Sequence, residues 1–526
     1  MVNSRSLQNR GELSGSELAC SKENLPKLSI SRALYLGYMK APHKQMIIDE
    51  IGGMTYAEAW RKANVLAWYF CRECHVTEGS YVAVSARNDI LTPMIIAAAQ
   101  MCGANIVSVP PGLSYDELKR YLSCVSVRVF LSSSQRSCDY MKRIDPLCEL
   151  LSMSGFRGSI TTVSEASSRH LFGSNWEFPS VQGDRLIVLF SSGSTGTPKA
   201  IANRSSSFGR NGASLAKAFS LSADDVIFLP VPFAHVFGIV GMYASLCAGA
   251  TIVTAVKYRP ETALALMSDT RATIHMGVAT MYLRELRENL DGEWNLSTLR
   301  AGLVAGAGCP ESVFSDFEHL YGCRIAQSYG MTETAATLTT TSLDLSCDVR
   351  AHCVGVPIDG ASIALDPATH EILCKTPSLM EGVLQPDGSC KLDLDDEGWF
   401  HTGDVGDFDE GGRLRIVGRI KDIVIRGGIN IFPAEVERLY EQCPDVAETC
   451  MVGYPDPELG ERTCLCAVPS AHCASSALEL REFAVGRIEK CRIPDVVMKM
   501  DDLPRLANGK IDKKALRTYV NGILGA

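Results

Sequence analysis

Ser191-Ser192-Gly193-Ser194-Thr195-Gly196-Thr197 puts five hydroxyls and two glycines in seven consecutive positions, and Pro198-Lys199 closes the run. Hydroxyls and backbone N–H groups curled around glycines are groups that hold phosphate oxygens, and a lysine adds a compact positive charge. The apolar run Leu186-Ile187-Val188-Leu189-Phe190 just upstream reads as a buried strand that would anchor the loop. The pattern is not that of a nucleoside-triphosphatase P-loop, which needs Gly, four residues, then Gly-Lys-Ser/Thr. Pro198 biases Thr197 away from helix, so the chain is not expected to enter a helix there. A Ser/Gly/Thr-rich stretch also reads as a plain surface loop, and the rest of the chain has to decide.

Other reactive groups have ordinary explanations when read singly. His235 reads as a core histidine, Glu333 as a helix cap, Asp404 as a turn aspartate after glycine, and Lys510 as an exposed turn lysine after Asn508-Gly509. Cys71-Arg72-Glu73-Cys74-His75 is formally a haem-attachment pattern or half a zinc site. No second CxxC completes a zinc site. The twenty cysteines are scattered and read as small core residues of a reduced, cytoplasmic protein.

These groups must be placed by a chain of 526 residues, enough for two to four domains at ~150 residues each. Its net charge of −9 excludes the basic face of a nucleic-acid binder. Residues 1–30 are polar and Ser-rich, and read as a flexible arm with no export signal. Val226 to Val256 and Leu91 to Val109 lack charged side chains, but prolines and glycines interrupt the longer stretch. Both read as strand, loop and buried helix, not as membrane spans.

The pattern predicts a helix from Thr55 to about Cys71, strand Val82–Ser85, a helix near Thr92–Cys102 and strand Ala104–Val109. Helix Tyr115–Leu122 and strand Val127–Leu131 follow. Further strands are predicted near Val226–Leu229, Thr251–Thr254, Ile274–Met276 and Leu303–Ala305. Such alternation implies a mostly parallel sheet covered by helices. From Val354 to Val417, short strands and Gly-containing turns imply antiparallel strands or a small barrel. Helices are predicted at Pro433–Gln442 and Leu478–Lys490, with a boundary near Gly418–Lys421.

Six segments in order identify a family. They are the loop ending at Lys199; Pro232-Phe233-Ala234-His235-Val236-Phe237-Gly238; Gln327-Ser328-Tyr329-Gly330-Met331-Thr332-Glu333-Thr334; Trp399-Phe400-His401-Thr402-Gly403-Asp404; Gly418-Arg419-Ile420-Lys421-Asp422 running into Arg426-Gly427-Gly428 and Pro433-Ala434-Glu435-Val436-Glu437; and Pro504-Arg505-Leu506-Ala507-Asn508-Gly509-Lys510. Together they resemble the adenylate-forming superfamily of acyl- and aryl-CoA synthetases, peptide-synthetase adenylation domains and firefly-type luciferases. The resemblance implies an α/β fold. A large N-terminal domain, residues 31–418, would hold two helix-covered, mostly parallel sheets plus a small β-barrel. A small mobile α+β domain, residues 419–526, would follow.

The resemblance also implies a two-step reaction. A carboxylate attacks the α-phosphate of Mg·ATP to give acyl-adenylate and pyrophosphate, and a thiol then displaces AMP. Ser191, Ser192, Gly193, Ser194, Thr195, Gly196, Thr197 and Lys199 would hold the departing phosphates. Tyr329 would stack on adenine, with the backbone of Gly306, Ala307 and Gly308 close by and Ser328, Gly330 and Met331 beside it. Thr332 would bond the α-phosphate and Glu333 would bind Mg²⁺. Asp404 would take the ribose hydroxyls and Arg419 the ribose or phosphate. Lys510 would bridge carboxylate and α-phosphate in the transition state. Phe233, His235, Val236, Phe237 and Gly330 would line the acyl pocket. Lys421 would be the hinge, and Gly427 and Gly428 would reach the thiol tunnel.

Two departures bear on substrate. Ala200 stands where glycine commonly follows the motif lysine, adding one methyl outside the cradle. Amino-acid-activating members carry an aspartate just after the position of Phe233; here Ala234-His235 follows, so an α-amino acid is not expected. The expected activity is that of an ATP-dependent acid:CoA ligase for an aryl or fatty acid. The alternatives are a free-standing enzyme loading the phosphopantetheine of a separate carrier protein, a catalytically silent acyl- or nucleotide-binding protein, and a luciferase-type oxygenase. The pattern leaves the acid and the oligomeric state open.

Overall fold

The computed structural model describes residues 28–145, 148–152, 183–191, 198–289, 292–470, 473, 475–505 and 511–524. Ser192, Gly193, Ser194, Thr195, Gly196, Thr197 and Lys510 therefore lie outside the described residues. The chain forms two compact units. One holds the residues up to Ala361 with Thr376–Asp393; the other holds Ser362–Lys375 with Leu394–Ala526.

The first unit is built on two sheets. In one, Leu186–Ser191, Asn105–Ser108, Tyr81–Ser85, Val127–Ser132 and Glu149–Ser152 lie side by side and parallel, with Lys199–Arg204, Gly382–Leu384 and Cys390–Lys391 added antiparallel at one edge. In the other, Gln45–Ile48, Thr251–Val253, Val226–Phe228, Ile274–Gly277, Ala301–Ala305 and Arg324–Met331 are parallel neighbours. Its edge strands Gly53–Thr55, Ala336–Thr340 and Val356–Pro357 are antiparallel.

One core cluster draws Ile47, Met276 and Leu303 from the second sheet and Val82, Ile106 and Ile187 from the first. Helices fill the space between them. Thr92–Met101 has every side chain buried. Tyr56–Arg72 starts at a capping box between Thr55 and Glu58, which satisfies two otherwise unpaired N–H groups. The charge-free stretch resolves into strand Val226–Phe228, helix Val236–Ala248 and strand Thr251–Val253. Gly249, at φ 70°, ends the helix in the left-handed conformation. No described helix is long and apolar enough to cross a membrane.

In the second unit, Ser362–Leu365, Glu371–Lys375, Phe400–Phe408 and Leu414–Arg419 form a four-stranded antiparallel sheet. Its outer strands are Ser362–Leu365 and Leu414–Arg419, so the sheet is open. The second sheet is dominated by the hairpin Val446–Asp456/Gly460–Pro469, extended by Val424–Arg426, Ile429–Ile431 and Val496–Lys499. Alternation decides its faces. Met451 and Leu465 pack with Val436 and Tyr440 of helix Pro433–Tyr440, while Cys450, Val452, Cys464 and Cys466 pack under Leu516 and Val520 of helix Lys513–Leu524.

Two expectations change. Ile30 is fully buried in helix Ile30–Lys40, so ordered chain begins before residue 31. The helix expected at Leu478–Lys490 is only Ala477–Glu482; Gly486, at φ 76°, turns the chain where the apolar spacing alone suggested continuation. The compact units divide at 361/362, 375/376 and 393/394, and strand Leu414–Arg419 pairs along Phe400–Phe408.

Candidate active site

The sheet containing Ala301–Ala305 and Arg324–Met331 ends in a built platform. The two strands are parallel, and Ala305 lies opposite Ser328, so both chains turn at the carboxyl edge, where α/β sheets bind ligands. Gly306 turns at φ 88°, and Gly306, Ala307 and Gly308 are exposed. Ser328 Oγ donates to the carbonyl of Thr339 at 2.9 Å. Tyr329, Gly330 and Met331 are half-buried. A Cβ on Gly330 would lie 1.6 Å from the carbonyl oxygen of Ala336, so no other residue fits.

Thr332–Thr334 then forms one 3₁₀ turn. The chain reverses through Ala335 at φ 51° and Ala336 at φ 94°, a left-handed path costly for non-glycine residues. Two buried asparagines hold this turn. Asn203 Nδ2 donates to the Thr332 carbonyl at 3.0 Å. Asn211 Nδ2 donates to the carbonyls of Thr334 (3.3 Å) and Thr337 (2.8 Å), and its Oδ1 accepts from Thr337 N–H at 3.3 Å. Met380 N–H reaches the Glu333 carbonyl at 2.7 Å. The backbone is thereby fixed, and Thr332 and Glu333 stay half-exposed.

Asn203 also links this turn to the Ser/Gly loop. It lies on strand Lys199–Arg204, whose first residue, the exposed Lys199, pairs with Ser191 across the loop. The loop leads from strand to strand, as Pro198 required. Ala200 is 2% exposed and packs in the core.

The Pro232–Gly238 segment joins Val226–Phe228 to helix Val236–Ala248. Asn88 fastens it, donating to the carbonyls of Pro230 and Val231 and accepting from Phe233 N–H at 2.8 Å. A Cβ on Gly238 would meet the Pro232 carbonyl oxygen at 2.2 Å. His235 is the helix N-cap. His235, Val236 and Phe237 are half-buried, whereas Phe233 is 3% exposed and packs in the core. Behind Phe233 and Ala234 is a cavity of about 10 Å³.

The second unit carries its own constellation. Asp404 and Arg419 are cross-strand partners, and Arg419 Nε lies 2.7 Å from Asp404 Oδ1. Asp404 is buried; Arg419 is half-exposed. Glu371 supports the turn before Asp404 by accepting from Gly403 N–H and bonding His401 Nδ1, each at 2.8 Å. That bond from Glu371 raises the His401 pKa above its ordinary value. Lys421 is exposed in a 3₁₀ turn, Ile420–Asp422. Gly427 (φ 57°) and Gly428 (φ 81°) form the exposed tip of a hairpin. Arg426 at its base makes two bonds to Asp495, at 3.0 and 2.8 Å.

Sequence reasoning missed Asn88, Asn203, Asn211 and Glu371. Their only local signal is a polar residue in an apolar context, as in Ala200-Ile201-Ala202-Asn203.

With the carboxyl edge of a parallel sheet, the strand pair that flanks the Ser/Gly segment and a clamped Thr-Glu turn in place, comparison with known proteins gives the class. The chain belongs to the AMP-binding enzyme family, whose model matches residues 38–384; the AMP-binding enzyme C-terminal domain matches residues 435–510. The chain is similar to the medium-chain fatty-acid–CoA ligase of Escherichia coli (28% identity, 90% of this chain and 88% of that one). It is also similar to the putative acyl-CoA synthetase YngI of Bacillus subtilis (32% identity, 64% of each chain). Among solved structures, ATP-bound MatB from Rhodopseudomonas palustris superposes with a TM-score of 0.83 at 25% identity, over 94% of this chain and 99% of that one.

Proposed function

We propose that this protein is an ATP-dependent carboxylic acid:CoA ligase. It activates an uncharged aryl or alkyl acid as acyl-AMP with release of pyrophosphate, then transfers the acyl group to CoA and releases AMP. The observation that carries the reading is the clamped Thr332–Glu333 turn, tied through Asn203 to the strand that begins at Lys199. Similarity to a fatty-acid–CoA ligase over 90% of this chain supports it.

The roles follow from chemistry. Lys199 and the Ser/Gly loop hold the phosphates that leave as pyrophosphate. Tyr329 offers its ring to adenine, beside the open turn at Gly306–Gly308. Thr332 donates to the α-phosphate. Glu333 offers a half-exposed carboxylate next to a hydroxyl, a hard-oxygen set that suits Mg²⁺ with its waters; the ion's contribution is to neutralise phosphate charge. Asp404 accepts from the ribose hydroxyls, and Arg419, its partner in the structure, donates to ribose or phosphate. Lys510 supplies positive charge as carboxylate meets α-phosphate. His235, Val236 and Phe237 face the acyl group, with Phe233 behind them; no carboxylate occurs in this segment to hold an ammonium. After adenylation, the chain beyond Lys421 rotates to withdraw Lys510 and present Gly427-Gly428 to the thiol.

Every described cysteine is a free thiol, which fits a reducing compartment, and we place the enzyme in the cytoplasm. The test is pyrophosphate release across straight-chain, aryl and amino acids, with and without CoA. Benzoate-like or medium-chain acids should outperform free amino acids, and CoA should yield a thioester. Preference for amino acids, or no thioester with any acid, would overturn the reading.

A further inference from the structure

The Cys71-x-x-Cys74 motif has no place in acyl transfer, and the structure separates its two thiols. Cys74 is 2% exposed, and burial pushes its pKa up to about 12, so it is a poor nucleophile. Cys71, in the last turn of helix Tyr56–Arg72, is half-buried and faces a different partner. Cys102 caps the neighbouring helix Thr92–Met101. Its Sγ lies 3.2 Å from the carbonyl oxygen of Ala67, four residues before Cys71 and thus one helical turn beneath it. The Cys102 thiol thus stands against the last turn of helix Tyr56–Arg72, beside the Cys71 side chain.

We propose that Cys71 and Cys102 form a peroxide-sensitive thiol pair that closes to a disulfide stapling helix Tyr56–Arg72 to the end of helix Thr92–Met101. Cys71 has the access and the chemistry to react first. The neighbouring Cys102 thiol holds its pKa below the ordinary thiol value, and Arg72 acts in the same direction. The Cys71 thiolate attacks one peroxide oxygen, breaking the O–O bond. The product is a sulfenic acid, and the released hydroxide takes up a proton to become water. The Cys102 sulfur then attacks the Cys71 sulfur, its proton leaves with the departing hydroxyl as a second water, and the S–S bond forms. Two thiols lose two hydrogens in all, and peroxide is reduced to two waters. Cys102 is 1% exposed, so it serves as the resolving thiol and not as the point of attack.

The test is made on the full chain. The folded protein is treated with hydrogen peroxide, blocked with an alkylating reagent, digested without reduction and analysed by mass spectrometry. The expected product is a peptide pair linking Cys71 to Cys102, lighter by two hydrogens and released by dithiothreitol. In Cys102→Ala the link disappears and Cys71 accumulates as a sulfenic acid trapped by dimedone. In Cys71→Ser, Cys102 stays reduced at the same peroxide dose. A Cys71–Cys74 link, over-oxidation of Cys71 with Cys102 still alkylatable, or oxidation of Cys102 in Cys71→Ser would overturn the proposal. Because the readout is a peptide mass, it is independent of whether the protein activates acids.

Discussion

Gly330 shapes the Thr332–Thr334 turn without carrying any charge. Its backbone passes so close to Ala336 that a single methyl collides with a carbonyl oxygen. Gly330→Ala should therefore displace Tyr329, Thr332 and Glu333 together and lower the rate of pyrophosphate release at least tenfold, measured by a coupled pyrophosphate assay. Asn211→Ala tests the same turn from the other side. It removes three hydrogen bonds to buried backbone and should cost ~1–3 kcal/mol in urea unfolding. At this scale the sequence divides sharply. Tyr329, Glu333, Asp404 and Lys421 are legible because their segments occur as an ordered set. Asn203 and Asn211 are not, since each acts on a chain segment well over a hundred residues away. Phe233 was legible as part of a segment, but its burial in the core was not.

Strands of the first unit such as Tyr81–Ser85, Val127–Ser132 and Ile274–Gly277 were legible because strands buried on both faces read as apolar runs between turns; helices such as Ile30–Lys40 and Glu311–Tyr321 were not read. The early end of helix Ala477–Glu482 was not, since the chain leaves it at Phe483 through tight turns before it reaches Gly486. Ion pairs hold the later elements in register. Lys513, the first residue of the C-terminal helix, lies 3.4 Å from Asp422 in the turn beside Lys421 and 3.6 Å from Glu437. Lys513→Met should weaken acyl-adenylate formation several-fold more than Lys513→Arg, because arginine keeps the charge; single-turnover pyrophosphate release reads the difference. Asp495 bonds Arg426 and Thr463. Burial would raise its pKa, but the bonds from Thr463 and Arg426 outweigh it and the folded value is lowered. The stability it adds is therefore fully present above the unfolded value of about 3.9 and is lost as pH falls through the folded value. Asp495→Asn should cost ~1–3 kcal/mol near neutrality, and the gap between variant and parent should shrink below about pH 4 in urea titrations.

For the whole molecule, two chemical steps served by one chain require groups that act in turn. Lys421 lies in an exposed 3₁₀ turn, whose φ proline matches, so Lys421→Pro should fold, form acyl-adenylate and stall before thioester. Lys510→Ala should lose about 10²–10³ in adenylate formation, the scale of one preorganised transition-state cation, yet still convert supplied acyl-adenylate to thioester. Equal loss of both half-reactions in both folded variants would rule out rotation about Lys421. The central claim is attack of a carboxylate on the α-phosphate, and the nucleotide left after turnover reports it directly. With ATP, Mg²⁺, a medium-chain or aryl acid and CoA, chromatography should show AMP and pyrophosphate formed one-to-one with thioester. ADP and inorganic phosphate in their place would contradict the account.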